Sequence, residues 1–154
     1  MANSTLYFQP SNVQDWKMTR LPMIASTVIG EGYAVAIEIS SNTTTGYHTL
    51  MGTENAAGKD FVGIMAEPIA AADDDYATAG KLKAVWVPRT MNAEAYFTVG
   101  AGTFTAIDVG KTVKFGSTSL DLDVDTAGKG ARISAYISAT RGKCVFTLPT
   151  TQTA

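Results

Sequence analysis

The chain has 154 residues, a formal net charge of −2 and 17% charged residues, well below the roughly 25% usual for soluble domains. Hydrophobic residues make up 45%, which excludes a disordered polyelectrolyte and suits one compact domain. Lys and Arg are scattered, with no cluster larger than Lys81–Lys83 or Arg141–Lys143, which argues against a nucleic-acid binder with a basic face.

Residues 1–22 differ from the rest. Asn, Ser, Gln, Asp and Pro dominate, with isolated Leu6, Tyr7, Phe8, Val13 and Trp16. Pro10 and Pro22 interrupt regular structure. The segment reads as an extended N-terminal arm in which Leu6, Tyr7, Phe8, Val13 and Trp16 are the candidate partner-binding residues. Two placements stay open: docking on a neighbouring subunit, or folding back on the chain's own domain. Leu6-Tyr7-Phe8-Gln9 resembles the core of a protease-tag site, but Ser4, Thr5 and Pro10 do not fit one, so the segment reads as native. The start carries no basic n-region or apolar h-region of a secretory signal. No apolar run approaches the ~18–20 residues of a membrane span. Synthesis in the cytoplasm is the expectation.

From residue 23 onward the pattern is all β. Ile24 to Ile29 is a first predicted strand, and Gly30-Glu31-Gly32 a turn. Tyr33, Val35, Ile37 and Ile39 alternate with Ala34, Ala36, Glu38 and Ser40, the period of a half-buried strand. Tyr47 to Met51 is a short strand. Phe61 to Glu67 is apolar on both faces and predicts a strand buried on both sides. Pro68 to Gly80 has slight helical character, but Asp73-Asp74-Asp75 and Gly80 favour a loop. Leu82 to Val87 ends at Pro88. Ala93 to Val99 alternates, Val113 and Phe115 form a short strand, and three further strands follow. In these, Leu120, Leu122 and Val124, then Ile133, Ala135 and Ile137, then Cys144, Phe146 and Leu148 face a core. Strand signals every 8–12 residues without a long helix predict a compact β-sandwich or β-barrel-like domain over 23–154. No repeat of fixed period is evident.

Several motifs offer chemistry and fail on spacing. Asp121, Asp123 and Asp125 share one strand face, but an EF-hand would need Gly at Thr126 and Glu at Arg132. Gly110-Lys111-Thr112 matches the tail of a phosphate loop whose first glycine would fall at Thr105, and a strand follows where a helix is required. His48 is the only histidine and Cys144 the only cysteine. A disulfide within the chain is therefore impossible, and a four-ligand zinc site is not served. His48 reads as a half-exposed strand residue and Cys144 as an inert buried thiol. Glu38, Glu67 and Glu94 carry no mark of paired acid–base work. No catalytic, cofactor-binding or metal-binding residue is assigned, and the expectation is a non-enzyme without a cofactor.

Three segments carry a resemblance. Ala106-Ile107-Asp108-Val109-Gly110-Lys111-Thr112-Val113, then Leu122 to Ile133, then Ile137 to Phe146 resemble the C-terminal pattern of tailed-bacteriophage head decoration, or capsid cement, proteins. Phe61 to Pro68 fits the same pattern, and the resemblance spans about residues 24–148. It implies a structural protein on the outer capsid surface of a virion. Such a protein binds the major capsid protein where its subunits meet and associates with itself as a homotrimer. It implies neither nucleic-acid nor membrane binding. Two other readings fit an all-β chain: a tail-tube or head–tail connector subunit, and a carbohydrate-binding β-sandwich with Trp86 or Tyr96 as its platform.

Overall fold

A computed structural model describes residues 7–39, 46–51, 59–116, 120–128 and 130–146. Eleven strands account for nearly all the regular structure, and the chain is all-β, as the alternation predicted. They are β1 (Gln9–Pro10), β2 (Trp16–Met23), β3 (Ala34–Glu38), β4 (His48–Leu50), β5 (Lys59–Met65) and β6 (Lys81–Pro88). Then follow β7 (Glu94–Ala101), β8 (Thr112–Phe115), β9 (Leu122–Ala127), β10 (Ala131–Ser138) and β11 (Arg141–Phe146). Single 3₁₀ turns lie at Val13–Asp15 and Ala106–Asp108.

The strands close into two barrels. The first runs β2-β4-β3-β5-β6 and back to β2. The second runs β7-β11-β10-β8-β9, and β9 returns to β7 through Val99↔Leu122 and Ala101↔Asp123. The two share one topology. In each, the first and third strands pair in parallel and every other neighbour pairs antiparallel. The sequence conceals this duplication because the connections differ in length. The offset between equivalent strands falls from 78 residues at the first (16 to 94) to 60 at the fifth (81 to 141). One signature survives. Gly32 and Gly110, each just before the second strand of its barrel, have φ of 87° and 96°, the left-handed region that only glycine enters freely.

The cores explain which runs are apolar. Met23, Ile29, Val35, Met65, Ile69 and Val85 fill the first barrel. Phe97, Val113, Leu122, Val124, Ile133 and Cys144 belong to a larger cluster that continues into the first barrel's outer wall at Ala34, Ala36, Phe61 and Ile64. Strands β3 and β5 thus have the first barrel's interior on one side and the second barrel on the other. This is why Phe61 to Met65 is apolar throughout. The joint is aromatic. Phe146 stacks on Phe61 at 4.3 Å and packs with Phe115 at 5.9 Å, Phe8 at 5.6 Å and Trp16 at 6.1 Å between ring centroids.

The structure corrects the boundary expected after Pro22. Residues 16–23 are β2, paired along its whole length with β6 from Trp16↔Pro88 to Met23↔Lys81. Proline is tolerated there because the Pro22 carbonyl faces away from β6 and accepts from His48 Nδ1 at 2.9 Å. N–H and C=O of one strand residue point the same way, so the missing donor removes no β6 bond. Ile24 to Ile29, expected as a strand, is irregular. Ser26 takes φ of 55°, and only Ile29 makes a bridge, to Ile69. In β10, register shifts after Ile133 and after Tyr136 break the expected alternation. Ile133 is buried, whereas Ile137 is 50% exposed. Leu148 lies outside the described residues.

Candidate interaction surfaces

The residues expected to bind a partner separate on folding. Phe8 and Trp16 are 0% and 2% exposed and form the aromatic joint of the chain's own barrels, so they offer nothing to a neighbour. Trp16 Nε1 donates to the Glu94 carbonyl at 3.0 Å. Tyr7 is half-buried, edge-on to Tyr33 at 5.8 Å. Val13 is exposed on its 3₁₀ turn. Leu6 lies outside the described residues. The fold-back placement therefore holds for Phe8 and Trp16, and the reason is the unfilled space where the barrels meet.

The carboxylates do not converge. Asp123 accepts from Asp125 N–H and from Thr126 Oγ1, and Asp125 accepts from Thr103 N–H. Asp121 lies against Gly100 and Gly116, where any side chain would collide with its carboxylate. Partial burial, with Asp123 nearby, pushes its carboxyl above the ordinary range. Among the described residues no group of three His, Cys, Asp or Glu side chains is placed to hold a metal. In the acidic loop, Asp75 pairs with Lys83 at 3.0 Å and Asp73 accepts from Ala70 N–H at 2.9 Å. Glu67 is tied to Arg20 and Lys83.

His48 is buried, at 5% exposure, and not half-exposed as expected. It sits where β4 meets β2 in parallel, and burial holds its imidazole below the usual value. Burial pushes the Cys144 thiol far up, so it stays protonated and unreactive. Lys111 pairs with Asp108 at 2.7 Å and leads into β8, which leaves no phosphate cradle at Gly110.

A feature that alternation does not flag is the turn before β8. Asp108 is buried, and its Oδ2 accepts from Thr105 N–H at 2.9 Å while Oδ1 takes the Lys111 ammonium. Both contacts hold its carboxyl below the ordinary range. Gly110 N–H donates to the Ile133 carbonyl and Ile133 N–H to the Lys111 carbonyl, which fixes the turn to β10. This anchored turn carries Ile107 at 83% exposure, with Val109, Tyr136 and Ile137 also exposed. Tyr136 packs on the buried Phe104 at 5.0 Å. These exposed apolar side chains make the turn a candidate interaction surface. The sequence signal for the turn, though not for the exposure, was Thr-x-x-Asp at Thr105–Asp108 with Ile107 inside it.

Two clefts lie among the described residues. One of about 160 Å³ is lined by Phe8, Pro10, Val13, Ile64 and Trp86, below the ~300 Å³ of small-molecule sites. One of about 420 Å³ over β8 and β9 has no aromatic lining. Comparison with protein-family models, with curated proteins and with solved structures finds no match to this chain.

Proposed function

We propose that this chain is a structural virion protein that decorates and reinforces the outside of a phage capsid, binding as a homotrimer where major capsid subunits meet. Ile107 carries the reading: an isoleucine held almost fully in water by a turn whose every anchor is buried or bonded. Such a side chain gains roughly 1.5–3 kcal/mol when a partner covers it. The low charge of the chain and the resemblance of residues 106–146 to decoration proteins support the same reading. Several weak apolar contacts per trimer add through multivalency, without any single tight site.

The test is co-sedimentation of the purified chain with undecorated shells of the phage that encodes it. Wild type saturates the shells, and Ile107→Asp lowers affinity by about tenfold or more, since burying a carboxylate replaces burying a methyl group. Absence of wild-type binding to those shells overturns the reading. A tail-tube subunit would instead form rings larger than a trimer, or stacks of them, by itself in negative-stain images.

A further inference from the structure

The two barrels differ in charge. Residues 16–88 carry five Lys and Arg against eight Asp and Glu, a net of −3; residues 89–154 carry seven against five, a net of +2. The positive excess has a place in the second barrel's outer wall. Tyr96 and Lys143 are directly opposite on β7 and β11, as are Thr98 and Arg141. The Lys143 ammonium lies 5.3 Å and the Arg141 guanidinium 5.5 Å from the centre of the Tyr96 ring. Arg141 donates to Thr98 Oγ1 at 3.0 Å, which fixes its guanidinium. Arg132 of β10 is exposed on the same wall, opposite Val145, and Glu94 of β7, also opposite Val145, is the carboxylate among these facing residues. Lys143 makes no ion pair among the described residues. The negative excess also has a place. The 73–75 loop covers one end of the first barrel, pinned by Lys81 Nζ to the Tyr76 carbonyl at 2.6 Å and by Lys83 to Asp75. Asp74 stands exposed at its crest with no ion pair among the described residues.

We infer that the Tyr96–Arg141–Lys143 wall of one copy receives the acidic 73–75 loop of a second copy of this chain. The surfaces are complementary in sign, and Lys143 on one and Asp74 on the other make no ion pair among the described residues. Two cations over one aromatic ring form a plane onto which a carboxylate can settle. The contact joins different surfaces on the two copies, so it is head-to-tail, and in the proposed homotrimer it closes into a three-membered ring. It deepens the proposed function by naming a self-contact, and its test requires no shell, so the two can fail separately.

The test is sedimentation velocity of the full chain from 5 to 200 µM in 50 mM and 500 mM salt. Wild type associates at low salt and dissociates at high salt, where screening shortens to a few ångströms. Lys143→Glu and Asp74→Lys each weaken association by about tenfold. The Asp74→Lys, Lys143→Glu double variant recovers it to within about threefold, because the charges are exchanged across the same contact. A wild type that stays monomeric at 200 µM in low salt overturns the inference. So does a single variant that associates like wild type, or a double variant that fails to recover. Circular dichroism melts confirm that the surface variants fold.

Discussion

Removing the ring of Phe146 tests whether the two barrels are one cooperative unit. Phe146 is 6% exposed and touches four rings: Phe61 and Phe115 in stacked geometry, Phe8 and Trp16 edge-on. Truncating a buried phenylalanine to alanine costs about 3–5 kcal/mol. That cost already includes the lost ring contacts, and four of them place Phe146→Ala in its upper half, at about 4–5 kcal/mol. For a chain of this size that lowers the melting temperature by about 8–20 °C. It is also a large share of the ~5–15 kcal/mol that holds a domain folded. The assay is urea unfolding read in parallel by tryptophan fluorescence and far-ultraviolet circular dichroism. Trp16 and Trp86, the two tryptophans, both pack in the joint cluster and report on it, and dichroism reports on both barrels. Because Phe61 and Phe146 belong to one cluster, wild type unfolds in a single coincident transition and the variant loses its midpoint as a whole. Ile107→Ala, on the surface, stays within about 0.5 kcal/mol of wild type. A loss below 1 kcal/mol for Phe146→Ala, or two separated wild-type transitions, refutes the shared-core argument.

Two further outcomes concern protons at the seams where the parallel strands close each barrel. His48 has a folded pKa lowered by burial, so its contribution is intact above the unfolded value of 6.5 and is lost as pH falls below it. The urea midpoint therefore drops between pH 7.5 and 5.5, and His48→Gln, which keeps a donor for the Pro22 carbonyl, removes that slope; an unchanged slope sinks the assignment. Asp121 is shifted the other way, its carboxyl raised by burial and by Asp123. Its stability is fully present below the unfolded value of 3.8 and lost as pH rises through the folded one. Asp121→Asn is accordingly more stable than wild type at pH 7, by an increment that vanishes toward pH 3.5. A variant less stable at pH 7 would mean that the carboxylate makes a favourable contact there.

What could be read from sequence was local. Alternation located β7, β8 and β11 and the doubly buried β5, because each side of these strands meets a uniform environment. It missed β2, whose sides are each partly covered: Trp16 and Met23 are buried while Met18 is 48% exposed. Ile24 to Ile29 has strand-like composition, yet Ser26 in the left-handed region breaks it. Phe8 and Trp16 looked like an arm because an aromatic residue amid polar neighbours shows that something covers it, without showing whose chain does so. The duplicated topology is a property of pairing, and pairing partners are distant in sequence. Ile107 escaped for a similar reason: exposure is set by where β10 lies, and no neighbour along the chain reports it.

The aromatic joint also sets an order of events during synthesis. All five strands of the first barrel precede Arg89, so that barrel can close while the rest is still being made. Its outward face of Phe8, Trp16 and Phe61 then waits for Phe115 and finally for Phe146. Phe146 is made 58 residues after Pro88 (88 to 146), about 3–12 s at ordinary translation speeds. Throughout that interval the nascent chain carries a bare aromatic surface. A message truncated before β11 yields a chain that has every strand of the first barrel and lacks the ring that covers Phe8, Trp16 and Phe61.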